Sequence, residues 1–451
     1  MTTPSRKSLP RSAHTPKPYE GPPREEVLAL RAQYLTPGLL TYYREPLLIA
    51  EGKGQYVWDE IGKQYLDGFA GVCTVIAGHC HPAIVDSVAK QVGTLQHTTT
   101  LYVHPAVGQL GKALAEKMPE GAGLTSTYFT NCGSEANEVA VLMARENTGA
   151  MEVISVRGGY HGGTQGAMSL VAVGTWKFPS MPVYNVRHAM PGYCYRCPLG
   201  LTYPSCELKC AKDLETLIQS ETSGKVAAYI AEPMQGVGGV VQPPKEYLQV
   251  AYEIVRKYGG LCISDEVQTG LGRTGDQYWG FEHYGVTPDM VTLAKGLANG
   301  SPVGACVTRP EISEVMKRRV HFNTFGGNPV TMTQGLATLE VIAAEGLQEN
   351  ARVVGGYLKE GLLAQKEKYE EIGDVRGLGL MLGVELVKDR ASKAPATELT
   401  KEIMEGAKER GLLIGRGGLY GNVLRIKPPL CITKADAEFM LACLDELFSA
   451  S

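Results

Sequence analysis

No stretch of the chain comes near the ~20 consecutive apolar residues that a membrane-crossing helix needs, so a spanning helix is not expected. Charge of one sign is lacking too. Lys and Arg number 44 against 47 Asp and Glu, a formal net charge of −3. Without a basic surplus there is no electrostatic footprint for nucleic acid, which is not an expected partner. The opening segment, MTTPSRKSLPRSAHTPKPYEGPP, has no acidic residue before Glu20 and no apolar core of the kind a secretory signal carries. Its prolines oppose the amphipathic helix of a transit peptide. Residues 1–24 therefore read as a flexible or surface-draped arm, and the protein as cytoplasmic.

What is present is ordinary globular material. The 451 residues, 44% apolar and 20% charged, suffice for roughly two or three domains with a large core. The 54 glycines suit tight turns and close backbone approaches to a ligand. The eleven cysteines, an odd number, mostly stand in apolar contexts, which fits free thiols in a reducing compartment. Cys194, Cys197, Cys206 and Cys210 differ, in YCYRCPLGLTYPSCELKC. A CxxC followed by a CxxxC is within reach of a structural zinc site. Free thiols, or a disulfide formed on oxidation, are the alternatives. Residues 190–212 read as an inserted loop.

Three apolar runs share a pattern. Val226–Ala231 ends at Glu232, Leu261–Ser264 ends at Asp265, and Met290–Ala294 ends at Lys295. Short continuous apolar runs are the mark of strands buried on both faces. The segment EYLQVAYEIVRKY between the first two has helical spacing, and Gly259-Gly260 stops it. This is the grammar of α/β folds, a parallel sheet covered by helices. Ligands of such sheets sit beyond the carboxyl ends of the strands. A lysine at one strand end usually reaches water along its stem. Three ionisable strand ends of complementary charge point to one site instead.

Upstream, STYF runs into NCGSEANEVAVLMAREN. A Gly133-Ser134 turn opening a helix offers free N–H groups, a hydroxyl and the positive dipole end, which suits a phosphate. In RGGYHGGTQGA, Tyr160 and His161 lie between glycines, where an aromatic ring can cover a flat ligand. Gly270-Leu271-Gly272-Arg273-Thr274-Gly275 matches GxGxxG only literally, because no apolar helix follows it. His79-Cys80-His81 reads as a turn before a helix opened by Pro82, not as a metal site. Residues 375–386 and 423–430 read as strands, and Thr433 with Asp436 as the capping box of a last helix.

A phosphate cradle, an aromatic cover, a strand-end aspartate and a strand-end lysine fit pyridoxal 5'-phosphate. The lysine amine can condense with its aldehyde. The aspartate can keep its pyridine nitrogen protonated, so that the ring acts as an electron sink.

At this point the chain resembles the class III (subgroup II) pyridoxal-phosphate aminotransferases, from about residue 38 to the C-terminus. The resemblance rests on GHCHP, NCGSEANE, RGGYHG, AEPMQGVGG, SDEVQTGLGRTG, LAKGLANG, HFNTFGGNP, VRGLGLMLGVEL and LRIKPPL. It is nearest to the alanine–glyoxylate aminotransferase 2-like branch, with ω-amine or β-amino acid:pyruvate transaminases as the alternative. It implies fold type I. Residues 76–334 would form a large cofactor-binding domain with a mostly parallel sheet. Residues 25–75 and 335–451 would together build a smaller α+β domain. It also implies roles. Gly133 and Ser134 would bind the cofactor phosphate, and Tyr160 would stack on the ring. Asp265 would pair with the pyridine nitrogen and Gln268 with the 3-oxygen, while Lys295 would hold the cofactor covalently. Thr324 would reach the phosphate of a neighbouring subunit in an obligate homodimer, with pairing into tetramers left open. Arg425 would clamp a substrate carboxylate, and Glu232 would pair with Arg425 when no carboxylate is there. The partners implied are small amino donors and keto-acid acceptors, pyruvate or glyoxylate.

Overall fold

The apolar runs at the centre of the chain become strands, buried on both faces. The computed structural model describes residues 7–178 and 185–450; residues 1–6 of the expected arm lie outside the described residues. Near the N-terminus, β1 (Ile49–Lys53), β2 (Tyr56–Asp59) and β3 (Gln64–Asp67) form an antiparallel meander. The arm is draped across it. Ser12 N donates to Gln64 Oε1 at 3.2 Å, Gln64 Nε2 donates to Pro10 O at 2.8 Å, and His14 Nε2 lies 2.6 Å from Glu51 Oε1.

The large sheet comprises β4 (Ser126–Thr130), β5 (Val153–Val156), β6 (Val186–Ala189), β7 (Ala228–Ala231), β8 (Leu261–Asp265), β9 (Met290–Leu293) and β10 (Gly304–Thr308). Their spatial order is β4-β10-β9-β8-β7-β5-β6. β10 runs antiparallel to both neighbours, and every other pair is parallel. Ile230, Ile263, Val291 and Leu293 are wholly buried. Each such side chain stabilises the fold by about 1.5–3 kcal/mol relative to exposure. The helix Tyr247–Lys257 buries Leu248, Ala251, Tyr252 and Val255 along one face. Gly259, at φ +77°, takes the left-handed turn that ends it.

Toward the C-terminus come β11 (Ile372–Leu378), β12 (Met381–Leu386), β13 (Leu412–Leu413), β14 (Gly415–Gly417) and β15 (Val423–Ile426). Four of these form a sheet in the order β11-β12-β15-β14, while β13 pairs in parallel with β3. The two chain ends thus share one sheet. The apolar segment 375–386 is not one strand but a hairpin, folded at Gly379. A Cβ there would sit 2.5 Å from the backbone of Thr274, so only glycine fits this close approach. The strand expected over 423–430 stops at Ile426, because the two prolines after Lys427 cannot donate to a ladder. Thr433 and Asp436 do form a capping box, with Asp436 N donating to Thr433 Oγ1 at 3.2 Å and Thr433 N to Asp436 Oδ2 at 2.8 Å. Among the described residues no helix is long and apolar enough to cross a membrane.

Candidate active site

The parallel register decides what meets at the strand ends. Ala231 pairs with Ser264, and Asp265 with Thr292. Glu232, Asp265 and Lys295 therefore leave the same edge of the sheet. All three line one cleft of about 370 Å3 together with Gly133, Ser134, Asn137, Tyr160, His161 and Gln268.

Asp265 is held from two sides. Its Oδ2 accepts from Asn137 Nδ2 at 2.9 Å and lies 2.8 Å from His161 Nδ1, and its Oδ1 accepts from Val267 N at 3.1 Å. Asn137 and His161 are themselves buried, and among the described residues nothing hydrogen-bonds His161 Nε2 or Asn137 Oδ1. Lys295 sits at φ +46°, a left-handed backbone that costs a lysine about 1–3 kcal/mol and that surrounding structure must enforce. Burial pulls its amine below the ordinary lysine range. Cys73, Asp265 and Glu232 oppose that fall, and Arg425 adds to it.

Across the cleft, the helix Gly133–Thr148 opens behind Cys132, whose side chain caps none of its N–H groups. Ser134 Oγ stands at this opening and accepts from Gly163 N at 3.0 Å. Gly162 passes so close that a Cβ on it would lie 2.3 Å from Ser134 Oγ. Uncapped N–H groups and a hydroxyl at one end of a cleft, with a buried carboxylate and a lysine at the other, fit an anionic, nitrogen-bearing aldehyde cofactor. Tyr160 lines the same cleft, half-buried against Val171, Val173 and Val237 and edge-on to Trp176.

The pair expected between Glu232 and Arg425 is not formed. Glu232 Oε1 accepts from Tyr160 N at 3.0 Å, and Oε2 from Gly236 N at 2.7 Å. Arg425 Nη1 donates to Gly236 O at 3.3 Å, so Gly236 stands between the two side chains. Burial pushes the Glu232 carboxyl up; His161 opposes that rise, as do its two backbone donors, and Asp265 adds to it. Arg425 Nη2 donates to Tyr42 Oη at 3.1 Å, its Nε to Arg416 O at 2.9 Å, and its guanidinium lies over the Phe69 ring at 5.0 Å. Thr324 is exposed, apart from the cleft of its own chain.

The four-cysteine candidate for zinc is not supported. Cys194, Cys197, Cys206 and Cys210 are free thiols, and no group of His, Cys, Asp or Glu among the described residues is arranged to hold a metal ion. The loop is anchored by ions instead: Tyr193, Arg196 and Arg376 all reach the buried carboxylate of Glu385. His79 and His81 are also accounted for, 2.9 Å from Asp67 and 2.7 Å from Glu345.

The family model for class-III aminotransferases matches residues 41–448. The chain belongs to the class-III aminotransferases. Its reaction is transamination, and its cofactor is pyridoxal phosphate. A relative from Arabidopsis thaliana, alanine–glyoxylate aminotransferase 2 homolog 2, mitochondrial, is 51% identical over 97% of this chain and 90% of that protein. The human alanine–glyoxylate aminotransferase 2, mitochondrial, is 40% identical over 96% of this chain and 87% of that protein. The structure of an amine transaminase from an uncultivated Pseudomonas species, in its pyridoxal-phosphate-bound form, is 31% identical with a TM-score of 0.86, covering 93% of this aminotransferase and 98% of that chain. Fold type I is thereby shown for the aminotransferase, a large mixed sheet beside smaller ones. Both relatives are named as mitochondrial, which corrects the expectation of a cytoplasmic protein and points to mitochondria.

Three residues of the site escape sequence reading. Asn137 looks like a polar helix position, His161 like part of a glycine-rich turn, and Lys427 like a solvated strand end. Only His161 carried a signal, its place beside Tyr160 in a glycine-framed loop.

Proposed function

We propose that this aminotransferase takes the amino group from L-alanine or a similar α-amino acid and passes it to glyoxylate or pyruvate. One observation carries the reading. Arg425 is buried, 4% exposed, and among the described residues no carboxylate pairs with it. A buried guanidinium that lacks an anion is costly. A substrate carboxylate, gripped by its planar fork, offsets that cost. The relatives named for alanine and glyoxylate support the same substrates. The amine transaminase neighbour favours the second reading, a donor whose amine is remote from any carboxylate.

Bound pyridoxal phosphate supplies an aldehyde carbon and an electron-withdrawing ring. The chain supplies the rest. Lys295, its amine made less basic by burial, is the covalent attachment point and then the base that moves the α-proton. Asp265, fixed by Asn137, His161 and Val267 N, would keep a ring nitrogen protonated. With the cofactor bound, Gln268 would donate to the 3-oxygen, Tyr160 would cover the ring, and Gly133 with Ser134 would receive the phosphate. Glu232, held by two backbone donors, shapes the pocket beside Arg425. Thr324 reaches the phosphate site of a second copy. That role makes the protein an obligate homodimer, and exposed Val103, Val320 and Phe325 supply the apolar surface for it.

Arg425→Leu is expected to slow the L-alanine half-reaction by about 100-fold or more, since truncating one partner of a buried charge pair costs 2–5 kcal/mol or more. A carboxylate-free amine should change far less. Stopped-flow single turnovers of the cofactor-loaded enzyme measure both, and an equal loss for the two donors contradicts the proposal.

A further inference from the structure

Lys427 follows directly on β15 and is wholly buried. Its backbone N donates to Gly68 O at 2.8 Å, and its Nζ donates to Gln268 Oε1 at 2.8 Å. Cys73 Sγ approaches the same oxygen at 3.9 Å. The other groups facing the amine are Arg425, Lys295 and Glu232. Among the described residues Lys427 makes no ion pair. A buried amine in that condition is costly, and packing alone is served better by a leucine or methionine.

The geometry shows what the amine does for its neighbour. The two ends of a glutamine amide are nearly alike in shape, and only the surrounding donors and acceptors decide which way it points. A protonated lysine amine has donors alone, so in that state Lys427 on Oε1 fixes that end as the acceptor. The whole amide lies under Gly236, where a Cβ would come within 2.1 Å of Nε2 and 2.5 Å of Oε1, and Gln268 lines the cleft. No described residue accepts a hydrogen bond from Nε2.

Resting on the reading that Gln268 faces the cofactor's 3-oxygen, we propose that Lys427 is a positioning residue. It locks the donor end of Gln268 toward that oxygen and so sets the proton affinity of the chromophore that Lys295 forms with the cofactor. A donor on the 3-oxygen spreads its negative charge, and the proton on the neighbouring nitrogen is then held less tightly. Without Lys427 the amide can turn its carbonyl to the same place.

The test is a pH titration of the visible band of the holoenzyme. Lys427→Met, which keeps the linear stem, should raise the midpoint by about one unit, a tenfold tighter hold on the proton. In a Gln268→Leu background the same change should add no further shift. Lys427→Gln, too short to reach Oε1 at the same distance, should shift the midpoint in the same direction and serves if the methionine variant does not fold. An unchanged midpoint in a folded, cofactor-loaded variant overturns the proposal. Equal shifts with and without Gln268 also overturn it. The site reading is checked apart from this, by loss of the wild-type band in Lys295→Ala.

Discussion

Asp265 at the end of β8, Arg425 in β15 and Lys427 just after it each ask where their charge goes. Asp265 has two buried side-chain neighbours, Arg425 has carbonyls and a tyrosine hydroxyl, and Lys427 has one amide oxygen. Lys427 therefore carries the largest unmet cost. Burial pulls its amine from the ordinary 10.5 down to about 7. A folded-state value below the unfolded one means that the unfolded chain binds more protons between the two. Stability then rises with pH from about 7 toward about 10, and the full penalty is felt below 7. Lys427→Met is expected to unfold at a higher temperature than the parent at about pH 6, with the gap narrowing as pH rises toward 10. Calorimetry across pH measures it; a gap that widens with pH contradicts the burial account. At this scale the sequence disclosed the residues whose charge interrupts an apolar run, Glu232, Asp265 and Lys295. It hid Asn137 and Lys427, because a polar residue inside an amphipathic helix or before two prolines looks solvated until the packing is known.

Elements were legible where period and punctuation agreed. β7, β8 and β9 read correctly because each apolar run halts at a charge, and the last helix because Thr433 and Asp436 announce its start. The β11–β12 hairpin was blurred, since the apolar residues continue through Gly379 and only the close approach to Thr274 shows the fold-back. The inserted cysteine loop was read by its thiols, whereas its anchor is Glu385, a residue 192 positions from Tyr193. Such pairing is a tertiary fact with no local pattern. Glu385→Ala would leave two guanidinium groups, Arg196 and Arg376, without their shared carboxylate. The expected cost is about 3–5 kcal/mol, with faster proteolysis around residues 193–210. Denaturant unfolding and limited proteolysis check it, and wild-type resistance of the loop would show that Glu385 does not anchor it. A zinc chelator should leave the same loop unchanged.

At the scale of the whole molecule, both chain ends fold onto one small sheet while the middle of the chain builds the cleft. The rings of His97 and Phe325 lie 5.4 Å apart, and Val103, Val320 and Phe325 are exposed. Exposed large apolar side chains of this kind suit the proposed interface between two copies. If the proposed homodimer with Thr324 shared between sites holds, Val103→Asp with Phe325→Asp is expected to yield monomers and to weaken cofactor retention. Sedimentation and cofactor absorbance measure both; monomers that keep the cofactor as tightly would sink the shared-site reading.

The central claim is that Lys295 and Arg425 together serve an α-amino acid. The most direct measurement is the visible spectrum of the cofactor-loaded enzyme before and after L-alanine, with no acceptor present. The account predicts a yellow band that L-alanine bleaches as the amino group passes to the cofactor. A yellow band that L-alanine leaves unchanged, while a carboxylate-free amine bleaches it, would contradict the role given to Arg425.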